Sequence, residues 1–167
     1  YCTGSLSADP KNNLEKIINN IVGDAIVKEV MSLKLAVKLI ETVEEKAAEM
    51  GLAVVVAVSD ASGRPIAVHC MDGAYHGSFD VAVNKTYTST AFQMSTAKLS
   101  RLCQPGQDLY GLQFSNNGKV MILGGGEPLM VGKTMIGALG VSGGSAQEDS
   151  DLAAYGASAL KEVIKCL

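Results

Sequence analysis

The chain has two histidines, His69 and His76, and any imidazole chemistry must use one or both of them. An imidazole changes its charge near neutral pH, and it can carry a proton or bind a metal ion. His76 lies in a glycine-flanked loop ahead of a predicted helix, an exposed position from which an axial haem ligand or a proton carrier can reach a bound molecule. His69 lies in a predicted strand, where it can face a partner, a pocket or water. An ordinary surface histidine is the alternative for both.

Acid and base chemistry is also open to Asp72, Lys85 and Glu127, because all three lie in or near predicted loops. No Ser-His-Asp or Cys-His order, HExxH motif or paired-carboxylate spacing accompanies them. The four cysteines are too scattered for a zinc site or for covalent haem attachment, and we interpret them as mostly free thiols in a reducing compartment. Nothing in the spacing therefore demands catalysis.

A glycine triplet, Gly124, Gly125 and Gly126, invites comparison with phosphate-binding loops. Such loops open directly into a helix whose N-terminus faces the anion, whereas this triplet precedes a predicted strand. We interpret it as a tight turn or bulge that only glycine tolerates, or as a place where a ligand approaches the backbone closely. Nucleotide binding of the Rossmann kind is disfavoured.

The composition is typical of one globular domain. A chain of 167 residues can bury its own core, and 47% hydrophobic and 19% charged residues are ordinary proportions. A net charge of -3, with no tryptophan and no cluster of Lys or Arg, argues against nucleic acid as a partner. The longest apolar run, Leu52 to Val58, is as short as a strand, so we predict no membrane span. The first residues lack the basic start and apolar stretch of a secretory signal, and we predict a cytoplasmic protein.

The hydrophobic spacing predicts an α+β domain of profilin-like type with a five-stranded, mostly antiparallel sheet. Four helices are predicted. The first is amphipathic and runs from about Pro10 to Ile26, and the second runs from about Ser32 to Met50. The third is capped by Ser78, and the fourth begins with a capping box of Ser145 and Glu148. The predicted strands are Leu52 to Ser59, Pro65 to Met71, Lys119 to Leu123, Glu127 to Val131 and Thr134 to Ser142. For the helix at Ser78, the spacing predicts a buried face of Phe79, Ala82, Val83, Thr86, Tyr87, Ala91 and Met94.

Several segments between about Ser32 and Leu160 resemble the GlcG/HbpS-like family, whose fold also occurs as the C-terminal domain of PduO. The segments are Val58–Gly63, Met71–Ala74, Ala82 with Asn84–Thr86, Gly124–Leu129, and Ile136–Gly144 with Glu148 and Asp149. As an ordered set they are specific. The run from Gln104 to Gly118 looks more like the members that are encoded near diol or glycerol dehydratases.

The resemblance implies a five-stranded antiparallel sheet, homo-oligomers from dimers to octamers and, in several members, binding of haem or corrinoid-related compounds. It also implies that the adenosyltransferase activity of full-length PduO belongs to a separate domain, which this chain does not contain. Many members have arginine where this chain has His69 and Cys70, two soft or borderline metal ligands. The residues assigned to a cofactor are His76 as the first choice of haem-iron ligand, then His69, Cys70, Lys85, Gly124, Gly125 and Gly126.

We therefore predict a tetrapyrrole-binding accessory protein of cofactor-dependent diol or glycerol metabolism. One alternative is an enzyme acting on a small carbonyl or hydroxy compound through Asp72 and Lys85, and another is a structural cargo or scaffold component of a bacterial microcompartment. We divide the chain into an extension, residues 1–31, and a domain, residues 32–167. The amphipathic helix of the extension resembles the targeting helices of microcompartment cargo, whose partners would be shell or dehydratase-pathway proteins. The alternative is that this helix covers its own domain or a subunit interface.

Overall fold

The first helix of the domain, α1 (Leu33–Glu49), begins and ends at the residues that its sequence signals predict. The structure is a computed structural model that describes Leu14 and residues 30–167, so the predicted amphipathic helix lies outside the described residues except for Leu14. The Ser32 side chain accepts the N–H of Leu35 at 3.2 Å, which satisfies one of the free donors of the first turn. At the other end Gly51 has φ +71°, and the N–H of Leu52 donates to the Ala47 carbonyl at 2.9 Å, a Schellman motif.

The sheet has four strands in the order β2-β1-β4-β3, and every neighbouring pair is antiparallel. The strands are β1 (Val55–Asp60), β2 (Pro65–Cys70), β3 (Gly126–Val131) and β4 (Thr134–Ser142). The prediction of a fifth strand at Lys119 to Leu123 is wrong. The N–H of Met121 donates to the Thr88 hydroxyl at 2.8 Å, and Val120 is buried beside Leu99, so this run packs against helices instead of pairing with a strand.

Helices cover both faces of the sheet. The remaining elements are α2 (Ser78–Phe92), α3 (Thr96–Leu102), two short 3-10 turns (Leu112–Phe114 and Asn116–Gly118) and α4 (Ala146–Lys165). The larger core lies between the sheet and the pair α1 and α4, where Val56, Leu139 and Leu152 are buried. A much smaller cluster of Val55, Ala57 and Ala82 lies under α2 on the opposite face. The capping box predicted for α4 is confirmed, since Ser145 and Glu148 bond each other's backbone N–H.

The buried face of α2 is mostly polar, so the predicted buried face is right only in part. Ala82 and Thr86 are buried as predicted, whereas Phe79 is 45% exposed and the polar side chains of Lys85 and Ser89 are buried. The helix lies so close to β4 that a Cβ on Gly140 would overlap the Ala82 carbonyl oxygen. This close approach leaves room for short side chains and for one extended lysine. Ser78 does not cap the helix, because the N-cap is Gly77, which has no side chain to donate or accept.

Candidate functional site

The turn between β2 and α2 presents one imidazole and two aromatic rings to the surface. The N–H of Ala74 donates to the Met71 carbonyl at 3.0 Å, and the N–H of Ser78 donates to the Tyr75 carbonyl at 3.0 Å, so the turn is fixed by its own backbone. His76 is exposed. Tyr75, its neighbour, is 73% exposed, and Phe79 in the first turn of α2 is 45% exposed. Exposed aromatic side chains beside an imidazole form a surface suited to a flat apolar ligand.

His69 lies near the end of β2 and points toward α1. Its Nδ1 is 3.2 Å from Oε1 of Glu44, and its side chain is 36% exposed. A carboxylate that accepts the Nδ1 proton orients the ring and leaves Nε2 to bind a proton or a metal ion. Cys70, the next residue, is exposed and projects from the other face of the strand. The two predicted ligands at this position therefore do not converge on one point.

Lys85 is buried in an ion pair that joins α2, β4 and α4. Its Nζ donates to Oδ2 of Asp149 at 2.7 Å and to the Val141 carbonyl at 2.6 Å, and the two charged side chains are 1% and 6% exposed. The other carboxylate oxygen of Asp149 accepts the N–H of Gly144 at 2.9 Å. Burial lowers the pKa of Lys85, and the hydrogen bond and charge of Asp149 oppose that shift. The amine is thus held inside the protein by two oxygen partners.

The glycine triplet packs against this ion pair. A Cβ on Gly125, which has φ +110°, would lie 2.7 Å from the Asp149 Cβ and 2.8 Å from the Lys85 Nζ. A Cβ on Gly126 would lie 2.6 Å from Cγ2 of Thr96, and one on Gly124 would overlap the hydroxyl of Ser150. Gly125 and Gly126 are buried, and the triplet lies at the point where α2, α3 and α4 meet. Glycine is required here because other parts of the same chain fill the space.

The structure therefore separates the predicted site residues into a surface group and an interior group. Lys85 and the triplet form the interior group, whereas Cys70, Asp72 and His76 are exposed and His69 is half-buried. Sequence reasoning missed Asp149 as the partner of Lys85. The one available signal was the position of Asp149 in the first turn of α4. A carboxylate is favoured there by the helix dipole alone, so the position gave no indication of a lysine partner.

Three further properties of the described residues bear on function. Burial raises the pKa of Glu127, at the second position of β3. In the part of the chain that the structure describes, no three His, Cys, Asp or Glu side chains are grouped so as to hold a metal ion. None of the helices formed by these residues is both long and apolar enough to cross a bilayer.

Comparisons with known proteins give consistent matches. The model of a family described as haem degrading protein HbpS-like matches residues 31–158. An uncharacterized 15.0 kDa protein of Citrobacter freundii, from the dhaT-dhaS intergenic region, is 39% identical over 123 residues, which are 74% of this chain and 87% of that protein. The corrinoid adenosyltransferase PduO of Salmonella typhimurium is 39% identical over 109 residues, 65% of this chain but 32% of that protein. The chain thus spans about a third of PduO.

A solved structure of PduOC in complex with haem has the same fold. Its TM-score with this chain is 0.74 at 35% sequence identity, and the match covers 78% of this chain and 94% of that one.

Proposed function

Because the chain belongs to the HbpS-like family, we propose that it is an accessory protein that binds haem or a related tetrapyrrole. The observation that carries this proposal is the turn before α2, where the side chains of His76, Tyr75 and Phe79 are all exposed. The haem complex of the similar PduOC chain supports the choice of ligand class.

The residues of the turn fit a haem group. Haem is flat and largely apolar, and its four ring nitrogens leave the protein to supply only one or two axial ligands. The imidazole of His76 provides such a ligand, and Tyr75 and Phe79 provide aromatic surface for the ring faces. Bound haem would supply an iron centre able to take part in electron transfer or to bind a small exogenous ligand. The chain's own contribution is to hold the imidazole in an accessible position and to shield part of the ring from water.

His69 is the second candidate ligand, supported by its contact with Glu44. This contact fixes the imidazole and leaves Nε2 as the nitrogen that can bind iron. Cys70 is a third, exposed donor in the same strand. We propose that Lys85 and the triplet Gly124–Gly126 act indirectly: they pack in the interior, and they position α2 and thereby the turn that carries His76.

The enzyme alternative has less support from the geometry. The amine of Lys85 is 1% exposed and bonded to Asp149 and to the Val141 carbonyl, whereas Asp72 lies in the turn after β2. A lysine that reacts with a carbonyl compound must reach its substrate as a free amine. We therefore assign Lys85 to the interior and keep Asp72 as a residue of the surface turn.

We propose diol or glycerol metabolism as the setting and homo-oligomers, dimers to octamers, as the form. The relative from the dhaT-dhaS region and the partial match to PduO support the setting. We do not propose the adenosyltransferase activity of PduO for this chain, because the match covers 32% of the PduO chain. Exposed Tyr110 and Phe114, at 62% and 81%, are candidates for subunit contacts. A corrinoid in place of haem and microcompartment targeting through residues 1–31 also remain proposals.

A haem titration tests the proposed function. We expect the purified protein to shift and sharpen the Soret band of added haem until a fixed stoichiometry is reached. His76→Ala should remove the shift or weaken binding about tenfold, the effect of roughly one lost bond to a charged centre. His69→Ala serves as the matched control, because it removes the other imidazole of the chain.

The possible outcomes separate the ligand from the function. If His69→Ala alone removes the shift, iron binds at the second candidate instead of the first. If neither variant changes the spectrum, the ligand assignment is wrong. If the unmodified protein leaves the Soret band of haem unchanged, and does the same to the absorption of an added corrinoid, the tetrapyrrole proposal itself is refuted.

A further inference from the structure

A cavity of about 340 Å³ lies between the β1–β2 turn, the side of α2 and Lys119. Two cations line it, Arg64 from the turn and Lys119 from the segment after the 3-10 turns, together with Asn84 and Tyr87 of α2. None of its lining residues is acidic. In the described part of the chain, neither Arg64 nor Lys119 takes part in a salt bridge. Two cations without an acidic partner therefore line the same cavity.

The turn that carries Arg64 packs closely against α2. A Cβ on Gly63 would lie 2.7 Å from the Thr90 hydroxyl and 3.4 Å from the Tyr87 Cα, so the turn and the helix are in direct contact. The acidic residue of the turn, Asp60, uses its Oδ1 to accept the N–H groups of Ser62 and Arg64 at 2.8 and 3.0 Å. That carboxylate oxygen is therefore committed to the backbone of the turn.

The α2 side of the cavity supplies neutral polar groups. The Tyr87 hydroxyl accepts a hydrogen bond from Nδ2 of Asn116 at 2.9 Å, which leaves its own proton to donate to another oxygen. Lys119 Nζ lies 5.8 Å from the centre of the Tyr87 ring, so the ammonium is held over this side of the cavity. The side-chain amide of Asn84 adds further donors. Guanidinium, ammonium, hydroxyl and amide donors around one cavity match the oxygens of an anion.

We infer that this cavity binds a small anion through its carboxylate or phosphate oxygens. The guanidinium of Arg64 presents paired donors to two oxygens of the anion, and Lys119 adds a second positive charge. Val83 and Pro65 in the lining leave space for a short apolar part of the molecule. This inference does not depend on tetrapyrrole binding, because it uses none of the residues proposed for that site.

Calorimetric titration tests the inference with two probes, inorganic phosphate and succinate, at constant ionic strength balanced with chloride. We expect one or both to bind with a dissociation constant below about 10 mM, which is weak but measurable. The double variant Arg64→Gln/Lys119→Gln should bind at least about tenfold more weakly, because each lost charged hydrogen bond corresponds to about that factor. Lys98→Gln/Lys133→Gln, which removes two exposed cations elsewhere, should bind like the unmodified protein.

Each outcome supports or overturns the inference. Binding of phosphate alone identifies a phosphate-bearing ligand, binding of succinate alone a carboxylate, and binding of both the shared oxyanion chemistry. Equal binding by the two double variants would mean that the response follows overall charge, and it would overturn the inference, as would no binding of either probe. Asn84→Ala keeps both cations and provides a second test if circular dichroism shows that the first double variant is not folded. It should weaken binding, and unchanged affinity would then overturn the inference.

Discussion

The buried ion pair makes a quantitative prediction about stability. We consider Lys85→Met, which keeps much of the length of the side chain and removes its charge. The substitution leaves the Asp149 carboxylate 6% exposed without its cation, and it leaves the Val141 carbonyl without the donor that lies 2.6 Å away. The Gly144 N–H still bonds the other carboxylate oxygen. An uncompensated negative charge therefore remains inside the protein.

Removing one partner of a buried ion pair typically costs about 3 to 5 kcal/mol of unfolding free energy. Domains of this size are stable by about 5 to 15 kcal/mol, so Lys85→Met should lose a large part of the total. Lys38→Met is the matched control, because Lys38 pairs with Glu41 at 3.1 Å on the surface, where both side chains are about half exposed. That pair is screened by water, and its loss should have little effect.

Urea denaturation followed by circular dichroism at fixed protein concentration measures both variants. A double variant, Lys85→Met/Asp149→Asn, adds a test of coupling, since it removes both charges while the new side-chain amide keeps an oxygen for the Gly144 N–H. We expect the loss of stability in the double variant to be smaller than the sum of the losses in Lys85→Met alone and Asp149→Asn alone, by more than about 0.5 kcal/mol. The reasoning is refuted if Lys85→Met unfolds at the same urea concentration as Lys38→Met, or if the single losses simply add.

Two further predictions concern the glycine triplet and β3. Gly125→Ala should destabilise the domain by about 2 to 5 kcal/mol, because it adds backbone strain and overpacks against Asp149. Gly51→Ala is the control: nothing lies within 4 Å of its Cβ, so it should cost only the backbone strain of about 1 to 2 kcal/mol. Equal melting temperatures of the two variants would contradict this prediction. Burial raises the pKa of Glu127 above its ordinary value of 4.5, so the folded state holds the proton more tightly than the unfolded state does. Stability therefore falls as the pH rises from the pKa of the unfolded chain through the higher pKa of the folded one. Glu127→Gln should match the unmodified protein below about pH 4 and exceed its melting temperature at pH 7, and a constant difference at both pH values would contradict this.

The ends of α1 and α4 could be predicted from sequence because their signals are local. Ser32, Gly51 and the pair Ser145 and Glu148 satisfy backbone groups within a few residues of themselves, so their types and spacing are sufficient. The antiparallel sheet and the family resemblance are confirmed as well. Both depend on short hairpin connections and on ordered motifs that can be read directly along the chain.

The errors lie where distant parts of the chain decide the outcome. Lys119 to Leu123 has the composition of a strand, but the Thr88 hydroxyl, 33 residues from Met121, takes the N–H of Met121. The burial of Lys85 depends on Asp149, 64 residues away, and helical spacing alone selected the larger apolar side chains of α2. His69 and Glu44 are likewise 25 residues apart. Local periodicity contains no information about such partners.

The polar underside of α2 bears on the order in which parts of the domain open. Most of the buried apolar side chains lie on the α1 and α4 side of the sheet, and only a small cluster lies under α2. When α2 separates from the sheet, the charges of Lys85 and Asp149 regain water, which offsets much of the cost of parting them. Amide hydrogens of α2 should therefore exchange with solvent through a partial opening that leaves β1 and β4 protected. A ligand bound at the turn before α2 would slow that exchange along the whole helix. Hydrogen exchange in α2, the helix expected to be least protected, would therefore show whether the ligand site is occupied.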